Sequence, residues 1–197
     1  SGGPHSTSLP AETIKEKSID LVVVGDGELT MFDICSGKKY EDIKGLYYKI
    51  DNDYFYTGDR AIEFNLDKFP FPLYEQLSMD NYSSFYFGKS IGIISGRGCP
   101  FQCTFCASKI IDKGIYRFRS TEHILEELNY LKERFDFQKF SFWDDTFTLK
   151  KDRVIALCEA LKKNKYKFYW TCNTHINTVD RELLKLMASA GCKIIHI

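Results

Sequence analysis

The chain has 197 residues, 44% of them hydrophobic, with 27 basic and 27 acidic side chains. That is enough apolar material for one substantial core, and a zero net charge supplies no long-range field to draw in a phosphate polymer, so nucleic acid is not an expected partner. No apolar run reaches membrane-spanning length and no secretory signal opens the chain, so the seven cysteines read as thiols or metal ligands of a reducing compartment, the cytoplasm.

In chain order, a Gly2-Gly3 turn leads to a short helix at about residues 11–17, then to a buried strand "DLVVVG", a "GDGE" loop and a second helix start. Helix alternating with apolar strand predicts an α/β arrangement with a parallel sheet. "GLYYKIDNDYFYTGDR" predicts a hairpin with Asp51 and Asn52 at its turn. Pro70 and Pro72 then interrupt regular structure, and the aromatic-rich stretch up to residue 89 reads as a linker wrapped over a surface. From Ser90 the rhythm is strict. Strand "SIGIISG" precedes a helix over about 121–134, capped by Ser120 or Thr121, with Ile124, Leu125, Leu128 and Leu131 as its apolar stripe. Strand "KFSFW" precedes a helix over about 151–163 that carries Val154, Leu157, Cys158 and Leu161 at helical spacing. Strand "KFYWTC" precedes a helix over 179–190, capped by Thr178 and stopped by Gly191. A final strand, "KIIHI", ends the chain. Such βα repeats build a parallel sheet with helices on one face that curls toward a barrel, and four strands do not close one. The absent initial methionine and the closing strand with no neighbour lead us to expect a fragment of a longer protein.

The cysteine loop, "DDTFT" and "NTHIN" all fall at the carboxyl ends of these strands, where such arrays carry their sites. "GRGCPFQCTFCAS" places Cys99, Cys103 and Cys106 in a C-x3-C-x2-C pattern. Structural zinc takes four protein ligands, and neither a fourth cysteine nor an H-x3-H pair lies nearby. The bacterial ferredoxin run also supplies a fourth cysteine soon after the third. Three thiolates on a [4Fe–4S] cluster leave one iron open to a small chelating ligand, which turns the shortage into a binding site. A zinc or iron–sulfur binding module without catalysis is the alternative, and an electron-transfer protein is a further one.

"CPFQCTFC" resembles the C-x3-C-x-aromatic-C signature of the radical S-adenosylmethionine (SAM) enzymes, with Phe105 as the aromatic. The resemblance implies a [4Fe–4S] cluster on Cys99, Cys103 and Cys106 with SAM on the open iron. It also implies reductive cleavage of SAM to a 5′-deoxyadenosyl radical and Phe105 near the adenine. "SFWDDTFT" resembles the segment that receives the SAM amino group, which implicates Asp144 and Asp145; a strand-end turn and helix cap is the competing role for these two. Asn173 is placed with the SAM-holding residues, and His175 stands where many relatives are expected to carry arginine.

Over nearly the whole length the chain resembles the subgroup with an amino-terminal cobalamin-binding domain. That implies a partial (β/α) barrel over 90–197, a linker over 45–89, and the carboxyl-terminal half of a Rossmann-like cobalamin domain over 1–44. Gly2, Gly3, Gly25, Asp26 and Gly27 then become candidates for backbone approach to cobalamin, although an ordinary α/β turn has the same composition. The implied reaction is methyl transfer to carbon or ring formation on a small-molecule substrate, fed by an electron donor such as flavodoxin or ferredoxin. The residues performing catalysis on the substrate are not identified. His5, beside a proline in a loop, reads as solvated rather than as a cobalt ligand. Cys35, Cys158, Cys172 and Cys192 read as core thiols. Arg117 and Arg119 read as solvated, with pairing to carboxylates near SAM as the functional reading.

Overall fold

The computed structural model describes residues 1–51, 53–84 and 88–197. Asn52 of the expected hairpin turn, together with Phe85, Tyr86 and Phe87 of the expected linker, lies outside the described residues. The chain divides into two compact units, one comprising residues 1–64 with 101–114, the other 65–100 with 115–197. Packing thus groups the hairpin with the first unit and the Pro-rich segment with the second. The divisions expected at residues 44 and 89 remain a proposal about the domains of the protein.

The first unit opens with two short helices, α1 (Pro4–Ser8) and α2 (Pro10–Thr13), instead of one helix over 11–17. Proline begins each, where its missing N–H costs no helical hydrogen bond. Strand β1 (Leu21–Val23), α3 (Glu28–Cys35), β2 (Leu46–Ile50) and β3 (Asp53–Tyr56) follow. The sheet order is β1-β2-β3 with both pairings antiparallel. The parallel arrangement expected here is therefore corrected among the described residues, because the hairpin supplies the strand beside β1. Val23, Ile43, Leu46 and Tyr48 form a small core, and every residue of β3 is exposed. The short α4 (Ser108–Asp112) completes this unit.

The second unit begins with short turns over the Pro-rich segment and a two-stranded ribbon, β4 (Ser83–Ser84) with β5 (Gly88–Lys89). It continues through β6 (Ile91–Ile93), a small ribbon of β7 (Gly96–Arg97) with β8 (Arg117–Phe118), α5 (Thr121–Phe135), β9 (Lys139–Phe142), α6 (Lys151–Lys163), β10 (Tyr169–Asn173), α7 (Arg181–Ser189) and β11 (Cys192–His196). The main sheet runs β11-β10-β9-β6, parallel throughout, as the βα rhythm predicts.

Alternation along the strands assigns the two faces of this sheet. Ile91, Ile93, Phe140, Phe142, Trp170 and Cys172 pack with the buried stripes of α5, α6 and α7 in one core. All eight stripe residues anticipated on α5 and α6 join that core, Leu125 only in part. Gly92, Ser141 and Thr171 form a row across the opposite face. A Cβ at Gly92 would stand 2.8 Å from Trp143 Cε2, so the indole lies directly against the glycine backbone.

Helix ends follow local chemistry. Ser120 Oγ accepts from His123 N at 3.1 Å and caps α5. α7 is capped by Asp180, whose Oδ1 accepts from Leu183 N at 2.9 Å, and not by Thr178, whose hydroxyl donates to His175 O at 2.7 Å. Gly191 has φ +101°, and a Cβ there would lie 2.1 Å from Phe168 O, so only glycine fits the turn into β11. The Pro-rich segment is pinned by Tyr74, which donates to buried Glu127 on α5 at 2.6 Å, and by Phe71, which stacks on His123 at 4.8 Å.

Candidate active site

Because β6, β9 and β10 are parallel, their carboxyl ends bring the segments starting at Ser95, Trp143 and Thr174 to one edge of the sheet. Asp144, buried, is the hub of that edge. Ser95 donates to it from both N and Oγ, each at 2.7 Å, and Arg153 Nη2 lies 3.6 Å from its Oδ2. The same guanidinium donates to Ser95 O at 3.0 Å, Tyr116 Oη at 3.1 Å and Phe147 O at 3.3 Å, and also to Ser95 Oγ. Burial pushes the Asp144 carboxyl above its ordinary value, against the lowering pull of Arg153 and of the Ser95 and Gly96 donors. Gly96 is closely fitted into this cluster, since a Cβ there would meet Asp144 Oδ2 at 3.0 Å. The neighbouring Asp145 is exposed. The paired aspartates thus occupy opposite environments, Asp144 buried and Asp145 exposed.

Cys99 is a buried free thiol with its Sγ 3.3 Å from Thr146 Oγ1, also buried. Cys103 is half-buried and Cys106 exposed, both free, joined in a tight turn by the bond from Cys106 N to Cys103 O at 3.0 Å. Cys99 belongs to the second unit, and Cys103 and Cys106 to the first. Among the described residues no three His, Cys, Asp or Glu side chains gather into a metal cage. The cysteine site therefore rests on residue type and spacing, and on these the donor set fits: three uncrosslinked thiols, the soft ligands that iron–sulfur clusters take. Phe105 is 91% exposed. Asn173 ends β10 with its Nδ2 3.5 Å from Asp144 O, while its own carbonyl accepts from Phe147 N at 3.0 Å.

The glycines considered for cobalamin are brought together around β1. Ser1 O accepts from Val23 N at 2.9 Å, and Gly25 N donates to Thr7 Oγ1 at 3.1 Å, so residues 1–3 lie beside the strand that leads into Gly25, Asp26 and Gly27. Gly3 and Gly25 take φ of +90° and +80° with open space where a Cβ would be. His5 is exposed, as expected, but lies on α1 rather than in a loop.

Three readings change. Arg117 and Arg119 are buried rather than solvated. Arg119 donates to Glu127 Oε2 at 2.5 Å and to Ile94 O at 3.0 Å, and packs over Phe71 at 5.6 Å. Cys35 is exposed at the end of α3 rather than in a core, whereas Cys158, Cys172 and Cys192 are buried as anticipated. Sequence inspection also passed over Ser95, Thr146 and Arg153. Their types are ordinary for a strand end, a turn and a helix, and only the crossover that joins β6 to β9 puts them together. A Thr148, Thr174 and Thr178 hydroxyl cluster went unnoticed for the same reason; Thr148 and Thr178 are 2.5 Å apart.

Comparison with known families places the chain. The model of the radical SAM superfamily matches residues 93–197, which begin at the end of β6 and take in the cysteine loop. The chain belongs to the radical SAM superfamily. An uncharacterized methyltransferase of Pyrococcus horikoshii is 35% identical over 99% of this chain, which covers 43% of that relative. The anaerobic magnesium-protoporphyrin IX monomethyl ester cyclase of Rubrivivax gelatinosus is 28% identical over 100% of this chain and 37% of its own length. The structure of the radical SAM methyltransferase TsrM from Kitasatospora setae, solved with cobalamin and a [4Fe–4S] cluster bound, superposes with a TM-score of 0.74 at 15% identity, over 98% of this chain and 40% of that one. That superposition confirms the α/β architecture with its parallel sheet. The chain thus spans less than half the length of these relatives. Its described residues contain no helix long and apolar enough to cross a membrane.

Proposed function

We propose that this chain forms the cluster-binding part of a radical SAM enzyme that, with cobalamin, transfers a methyl group to carbon or closes a ring on a small-molecule substrate. The observation that carries this reading is the C-x3-C-x2-C set of free thiols following the first strand of a parallel βα array that matches the superfamily. Cys99, Cys103 and Cys106 hold the cluster. When bound, a [4Fe–4S] cluster with one open iron supplies the electron for reductive cleavage of SAM. Methyltransferase and cyclase names among the relatives, and the cobalamin in TsrM, support the two reaction classes and the second cofactor.

The chain's own residues orient and shield. Asp144, Ser95 and Arg153 fix the strand end from which the cysteine loop departs, so the first ligand starts from an immobile base. Exposed Asp145 and half-buried Asn173 offer an acceptor and an amide for the amino and carboxylate groups of SAM, and the Asn173 amide lies 3.5 Å from the Asp144 carbonyl. Exposed Phe105 offers a face for the adenine. Gly2, Gly3, Gly25, Asp26 and Gly27 are the candidates for backbone approach to cobalamin, a reading supported by the open space at Gly3 and Gly25. A low-potential flavodoxin or ferredoxin is the expected electron source, and the cytoplasm the expected compartment.

Anaerobic reconstitution with iron and sulfide tests the proposal. We expect about four irons and four sulfides per chain, an electron paramagnetic resonance (EPR) spectrum that changes on adding SAM, and 5′-deoxyadenosine formation under reduction. Replacing any of Cys99, Cys103 or Cys106 by serine should abolish all three. Stoichiometric zinc with no response to SAM would establish the non-catalytic module instead.

A further inference from the structure

We infer that Thr146 donates a hydrogen bond to the Cys99 thiolate and thereby raises the reduction potential of the cluster that Cys99 helps to hold. This inference rests on the reading of Cys99 as a cluster ligand. The two side chains lie 3.3 Å apart, Sγ to Oγ1, and both are buried. In the free thiol either atom can donate. Once the sulfur ligates iron it has lost its proton, and the threonine hydroxyl becomes the donor.

The pair is held in place from both sides. Trp143 N donates to Ile93 O at 2.9 Å, extending the β6–β9 pairing to the root of both loops. Beyond it, Asp144 accepts from Ser95 N and Oγ at 2.7 Å, and Arg153 ties Ser95 O to Phe147 O across the same junction. Asp144 precedes Thr146 by two positions and Ser95 precedes Cys99 by four, so one clamp sets the path of both the donor and the acceptor. Thr146 has 2% of its surface exposed, which keeps its hydroxyl out of bulk water. In such surroundings a hydrogen bond to an anionic sulfur is electrostatically strong. It favours the reduced cluster, which carries one more negative charge, and hydrogen bonds to sulfur are among the determinants of cluster potential. Asp144 acts here through Ser95 as a positioning residue, a role distinct from contact with SAM.

The test uses the full chain, reconstituted anaerobically with iron and sulfide and titrated with a low-potential reductant while the EPR signal of the reduced cluster is followed. Thr146→Val, which keeps shape and removes the hydroxyl, should retain the parental iron and sulfide and titrate at a more negative midpoint. Thr146→Ser should restore the parental midpoint. A fully loaded Thr146→Val chain with an unchanged midpoint overturns the inference. A measurement on the unsubstituted chain guards against a variant that does not load. Reconstituted in H2O and in D2O, the reduced cluster should show a coupled exchangeable proton by electron–nuclear double resonance, and its absence overturns the inference equally. Failure of the parental chain to take up iron and sulfide overturns the cluster reading along with it, and is seen before any variant is made.

Discussion

The two compact units are built from the same alphabet to opposite ends. The second buries four parallel strands under three amphipathic helices, and Phe137, Phe140, Phe142, Phe147 and Trp170 are almost wholly enclosed in its core. The first rests a three-stranded antiparallel sheet on a handful of residues and leaves Tyr54, Phe55 and Tyr56 in solvent. The difference follows from strand environment. Parallel strands need long crossover connections, and the helix that makes the crossover also supplies the apolar layer on the sheet's face. A short hairpin has no such obligation. The larger core therefore lies in the unit that carries Asp144, Thr146 and Cys99.

Thiol chemistry tests this contrast most sharply. Burial, with Cys192 nearby, pushes the Cys158 thiol up to about 12. That leaves it roughly a thousandfold less thiolate at neutral pH than an ordinary cysteine, and burial adds to the protection. Alkylation followed by mass spectrometry should label exposed Cys35 in the first unit promptly and leave Cys158 untouched until the second unit unfolds. Comparable labelling would erase the distinction between the units. Phe142→Ala removes a ring packed against Phe147 at 4.7 Å and Trp170 at 5.5 Å, and should cost about 3–5 kcal/mol by denaturant titration. Gly191→Ala forces a Cβ against the Phe168 carbonyl at a left-handed φ, and a cost of about 1–3 kcal/mol is expected in the same assay. Tyr54→Ala on exposed β3 should change stability by only about 0.5 kcal/mol. A larger loss there would mean that the first unit depends on its surface aromatics.

The same contrast explains what could be read from residue order. α5 and α6 were legible because period 3.6 repeats over several turns, and their stripes are the buried ones. The cysteine loop was legible because spacing within eight residues survives any fold. Pairings between distant positions were not. Arg119 reads as a solvated side chain until Glu127 and Phe71 are seen to pack against it, and for Asp144 a ligand role and a strand-end turn read alike until Ser95 is seen to donate to it twice. At the start of α7, two residues competed for one role. Thr178 had the right type for a cap, but its hydroxyl already served His175 O, which left Asp180. The antiparallel β1–β2 pairing escaped because a three-residue strand carries too little pattern to name its neighbour.

Trp143 is 67% exposed, and its indole rests on a position where the side chain is a lone hydrogen. A methyl group at residue 92 would lift that broad ring off the sheet. The contour of the exposed surface at Trp143 is thus governed by an atom absent from the neighbouring strand. Reshaping this surface need not touch a single polar group: Gly92→Ala alone would displace the indole.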